Sequence, residues 1–155
     1  MAYISNGKQV GLGALTTVYT DATKFSLGEV VSDELGKQYI FLTGLDSTAA
    51  GSWVTFDESY VTALLAANAV GPVAVAMAAT VGSTYGFYQI YGNCAVSASD
   101  TTAADKALFI DATAGRVDDA VVTGDLIVGA CSTAADTTNV LPVFLNFPFV
   151  TDVLG

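Results

Sequence analysis

The chain has 155 residues, of which 52% are hydrophobic and only 13% charged, with 15 acidic side chains against 5 basic ones and a net charge of −10. A chain this apolar is not disordered, and its length suits one ordinary domain, or one domain plus an arm. The bases Lys8, Lys24, Lys37, Lys106 and Arg116 are too few and too scattered to grip phosphate. Nucleic acid and anionic membrane surfaces are therefore excluded as expected partners.

Residues 1–24 are rich in Gly, Thr and Ser, with scattered apolar groups (Tyr3, Ile4, Val10, Leu12, Leu15, Val18, Tyr19) and no clear period. They read as an extended N-terminal arm that orders along a partner, preceding a compact domain over 25–155. The start of the chain lacks the basic residues and continuous apolar run of a signal peptide, so folding in the cytosol is expected.

Phe25 to Ser32 and Lys37 to Thr43 alternate as strands around "DELG", whose Gly36 sits where a turn needs positive φ. Trp53 to Phe56 is a short strand. From Ser59 to Ser99 there is no charged side chain. Part of that run, Tyr60 to Gly82, is long enough to cross a bilayer. Its Ala-rich composition, the break at Gly71-Pro72 and the lack of flanking Lys or Arg argue against a span.

Ser59 to Asn68 fits either a short helix or an irregular strand; periodicity does not decide. Val73 to Val81 reads as a strand buried on both faces, Val73, Val75 and Met77 on one, Ala74, Ala76 and Ala78 on the other. So long an uncharged run also points to contact with a partner. Tyr85 to Val96 is aromatic and strongly β in propensity. Its Tyr85, Phe87, Tyr88 and Tyr91 read as core and interface, with a stacking platform for sugars or bases as the alternative.

Ala107 to Ile110 is another strand, and Ala120 to Val122 with Leu126 to Ala130 flank a turn at Thr123-Gly124-Asp125. In "VLPVFLNFPFV", Val140 to Val150, strict alternation puts Leu141, Val143, Leu145, Phe147 and Phe149 on one face. Pro142 and Pro148 fall on the other, which implies an edge or strand-end position. The sum is an all-β fold, a single β-barrel or β-sandwich domain. Trp53, Tyr88, Ile90, Phe109, Val143, Leu145 and Phe147 are expected in its core. "TAAD" occurs at Thr102 to Asp105 and again at Thr133 to Asp136.

The chain has no histidine, which removes His-based triads and the commonest metal ligand. Cys94 and Cys131 are too few for a disulfide framework and read as buried free thiols. Asp111, Asp118, Asp119 and Asp125 are the group that could hold a hard cation, against the plainer reading of acidic turn formers. No enzyme activity, cofactor or metal is expected.

The ordered blocks "FSLGEVV" (25–31), "GPVAVAMAA" (71–79), "YGFYQIYG" (85–92), "AGRVDDAVVTGD" (114–125) and "FPFV" (147–150) resemble capsid decoration, or cement, proteins of tailed-bacteriophage heads. That resemblance implies a β-rich protein made in the host cytoplasm and bound to the outside of the virion capsid. Its partners would be the major capsid protein and copies of itself, a trimer being the favoured state. The contact candidates are Tyr3, Ile4, Val10, Leu12, Leu15, Val18, Tyr19, Tyr85, Phe87 and Tyr91. The rival class is a tail or fibre module that binds a host glycan.

Overall fold

The computed structural model describes residues 10–99 and 101–152. Among them, ten strands join in one antiparallel sheet: β1 (Val30–Ser32), β2 (Gln38–Thr43), β3 (Trp53–Phe56), β4 (Thr62–Leu64), β5 (Gly71–Ala76), β6 (Tyr85–Ser97), β7 (Ala107–Ile110), β8 (Val117–Asp118), β9 (Leu126–Ser132) and β10 (Val140–Val150). The order is β1-β2-β6-β5-β10-β9-β7-β8, with β3 paired to β5 and β4 beyond it. The single helix described, α1, is one turn, Leu12–Leu15. The expected all-β domain is what the chain forms, and the open segment 59–68 contributes the short strand β4. Ala120 to Val122 is not a strand; its place is taken by β8, three residues upstream.

Two long strands organise the sheet. The first half of β6 pairs with β2, from Tyr85 opposite Thr43 to Tyr91 opposite Gln38. The second half pairs with β10, from Tyr91 opposite Asn146 to Ser97 opposite Val140. Gly92 stands at the change of partner with φ 96°, and a Cβ there would lie 2.9 Å from the Lys37 side chain. Only glycine makes that turn without strain. β10 in turn meets β5, β6 and β9.

The apolar residues gather into three clusters. The largest joins Trp53, Val73, Val75, Leu108, Ile127, Leu141, Val143 and Leu145. A second lies between β2, β5 and β6 (Ile40, Leu42, Ala74, Ala76, Tyr88, Ile90). The third covers the opposite face of β2 and β6, where Phe41 and Phe87 meet Leu15, Phe25 and Val31. A buried chain of hydroxyls ties the second cluster to its loops. Thr48 Oγ1 and Thr80 Oγ1 are 2.7 Å apart, Thr80 Oγ1 and Tyr88 Oη 3.1 Å, and Tyr88 donates to Thr43 O at 3.1 Å. Burial is the main reason the Tyr88 phenol stays protonated to unusually high pH.

Residues 10–24 do not stand apart as the expected arm. Leu15 is 1% exposed, Tyr19 packs edge-on against Phe25, Phe41 and Phe87, and its backbone exchanges two hydrogen bonds with Tyr85. Period-based reading misses such a strap because its few large side chains are spaced by the surface they cover, with no period of their own. Residues 1–9, including Tyr3 and Ile4, lie outside the described residues.

The charge-free run has a plain origin. β5 and the first half of β6 are covered on both faces, so Val73 through Ala76 and Gly86 through Ile90 are all buried. In these two stretches absence of charge reports core, while Tyr60, Val61, Val70 and Val81 of the same run are exposed.

Candidate interaction surface

An exposed aromatic surface lies around the second half of β10. Up to Leu145 the strand alternates as expected, with Leu141, Val143 and Leu145 buried. At Phe147 the backbone takes a left-handed conformation, φ 49°, and the pairing with β9 slips between Leu145 and Phe149. This is a β-bulge, and it inverts the faces. Pro148 and Val150 now point inward, while Phe147 is 54% exposed and Phe149 40%. The expected burial of Phe147 is thus overturned, and Phe109 is only half-buried; Trp53, Tyr88, Ile90, Val143 and Leu145 are core as expected. Nor is β10 an edge. Pro142 sits before the pairing with β9 begins and Pro148 inside the bulge, two places where a missing N–H costs nothing.

Opposite the bulge, Gly129 of β9 has φ 82°, and an added Cβ would lie 2.6 Å from Asn146 O. Glycine there lets the two backbones approach. The bulge turns Phe147 toward Tyr91, ring centroids 5.6 Å apart, and Tyr91 also meets Phe144 edge-on at 5.6 Å. Phe149 pairs with Val128, itself half-exposed, and Phe144 with the exposed Cys131. Tyr91, Phe144, Phe147, Phe149 and Val128 therefore form an aromatic outer face with no charged member, on a protein of net charge −10.

Of the expected contact residues, Tyr91 belongs to this face. Leu15 and Phe87 are core, and Val10, Tyr19 and Tyr85 pack against the third cluster. Leu12, 69% exposed, and Val18 remain outward on the strap. Phe144, Phe147, Phe149 and Val128 were not expected in this role. The signal that could have found them is the "NFP" of Asn146 to Pro148, where a proline in a central strand demands a bulge.

The cysteines are both free: Cys94 is half-buried and Cys131 is exposed, which corrects the expectation that both are buried. They stand on β6 and β9, opposite adjacent residues of the intervening β10 (Val143 and Phe144), so their side chains point to opposite faces and cannot bridge. Desolvation pushes the Cys94 thiol up to about 12, which makes it unreactive near neutral pH.

The four aspartates do not converge on a cation. Each carboxylate accepts from a nearby backbone N–H: Asp111 from Thr113, Asp118 from Ala120, Asp119 from Ala103 and Asp125 from Asn68. Burial, then the neighbouring Asp111 and Asp119, raise the Asp118 pKa. No group of three metal-ligating side chains occurs among the described residues. The two "TAAD" segments lie side by side, with Asp136 N donating to Thr102 O and Asp105 N to Ser132 O. No helix among the described residues is long and apolar enough to cross a membrane.

Comparison with family models, with curated proteins and with solved structures finds no match.

Proposed function

We propose that this chain is a decoration protein of a tailed-bacteriophage head, bound to the outer surface of the shell through the aromatic face around Phe147. The observation that carries the reading is Phe147 itself. A bulky side chain in a left-handed backbone costs about 1–2 kcal/mol, and here that strain holds an aromatic ring out in solvent beside Tyr91 and Phe144. Strain retained to expose an apolar ring fits a binding surface better than a stable monomer. The order of sequence blocks supplies the kind of partner. A shell offers many equivalent sites, so modest contacts made by self-associated copies add up. A trimer is the favoured assembly, and the negative remainder of the surface keeps copies apart elsewhere.

The test is co-sedimentation with empty phage shells. The parent protein is expected to pellet with shells, and Phe147→Ser, with Tyr91→Ser as its companion, to remain in the supernatant while folding normally. Equal pelleting of parent and both variants would remove the face from the contact. Binding of soluble glycans without binding of shells would favour the tail or fibre reading.

A further inference from the structure

A groove of about 700 Å³ opens at the end of β3 and the starts of β4 and β5. Phe56, Tyr60, Val61, Val70 and Pro72 give it an apolar lining, and its charged members among the described residues are Asp57 and Glu58, both acids. We propose that this groove docks a segment of another protein in which apolar side chains are flanked by Lys or Arg.

The apolar lining accounts for most of what the uncharged run leaves in water. Tyr60, Val61 and Val70 are 36%, 50% and 64% exposed, and the fold gathers them from either side of β4 against Pro72 and the half-buried Phe56. Apolar side chains collected in one exposed concavity mark a contact site. Its wall is also set in advance. Asp57 Oδ1 accepts from Ser59 N and from Val61 N, each at 2.9 Å, while Tyr60 N donates to Asp57 O and Tyr60 O accepts from Thr43 N. Tyr60 takes a left-handed conformation, φ 63°, and its ring lies over Gly28, where a Cβ would collide with it. A wall ordered before binding loses less freedom when a partner arrives.

Charge selects the occupant. Asp57 is engaged by its own loop, which leaves the exposed Glu58 as the acid that faces a partner's base. A second copy fits badly. Its two most exposed large apolar side chains, Leu35 and Val121, stand close in sequence to Glu34 and to Asp118 and Asp119, so they would bring acid to acid. The volume falls within the roughly 300–1,000 Å³ of built binding sites, room for a few residues of extended chain. The groove adjoins the aromatic face, since Pro72 stands opposite Phe149, yet the inference does not rest on the capsid reading.

The experiment is an NMR titration of the full chain with two synthetic peptides, acetyl-KLVLK-amide and acetyl-ELVLE-amide. The basic peptide should shift the amides of Asp57 to Ala63, Val70 and Gly71 in a saturable way, and the acidic one should leave them in place. Glu58→Lys should reverse that preference, and Val61→Ser/Val70→Ser should weaken the basic peptide at least threefold. Phe147→Ser should leave the titration unchanged, so loss of shell binding and loss of groove binding are read separately. Groove amides unmoved by the basic peptide, or moved equally by both peptides, overturn the proposal. So do groove amides that move with protein concentration alone, because the groove would then hold a second copy.

Discussion

The two halves of β10 share one strand and follow opposite rules. Before Asn146, alternate residues enter the core and the strand is held on both sides, by β6 and by β9. After it, a left-handed phenylalanine shifts the phase by one, so Pro148 and Val150 turn inward and Phe147 and Phe149 outward. Both halves are built mainly from apolar residues. What differs is which face the backbone presents, and a single bulge therefore decides between core and contact surface.

The sharpest way to break this comparison is a pair of substitutions two residues apart. Leu145→Ala should cost about 2–5 kcal/mol, since Leu145 is fully buried. Phe147→Gly should leave the free protein as stable or raise it by about 1 kcal/mol, because glycine relieves the left-handed strain. Urea denaturation of both variants decides, and similar losses would place Phe147 in the core after all. Next in size is Gly129→Ala. Its Cβ would meet Asn146 O at a distance that side chains do not tolerate, at a backbone angle that disfavours alanine. A loss of more than about 1 kcal/mol is expected, together with altered amide shifts along Asn146 to Phe149; an unperturbed variant would mean the bulge is not pinned from β9.

The smallest expected effect concerns Cys94. Cys94 is favoured as a neutral thiol in the folded chain, with a pKa near 12, whereas the unfolded thiol ionises at about 8.5. A raised folded value means that this contribution is complete below pH ~8.5 and is lost as pH climbs toward 12. Cys94→Ala should therefore lose less stability than the parent between pH 8 and pH 11. Denaturation midpoints across that range give the answer, and identical slopes for parent and variant would show that Cys94 is not desolvated.

Much of the fold was legible because its strands obey period two. Trp53–Phe56, Ala107–Ile110 and Val140–Val150 have the limits that their alternation marks, and Gly36 makes its turn with φ 79°. The strap was not legible, because Leu15 and Tyr19 are placed by the aromatic surface of β2 and β6 and by no periodicity of their own. The outer face was lost for a different reason. Period-two reading carries its phase through a bulge unchanged, so Phe147 and Phe149 were assigned inward although Pro148 marked the break. The charge-free run proves mixed: its strands are buried on both faces, while Tyr60, Val61, Val70 and Val81 in the segments between strands are exposed.

The joining of β5, β6 and β9 through β10 also sets a schedule for folding. A chain growing from its N-terminus has β5 and β6 available long before their common neighbour has been made, and β9 only just before it. The ladder groups of these strands that face β10, and the side chains that meet Leu141, Val143 and Leu145, lack that partner until Val140 to Val150 leaves the ribosome. The sheet is therefore completed only with β10, through pairings distant in sequence, which places its folding among the slow β topologies of milliseconds to seconds.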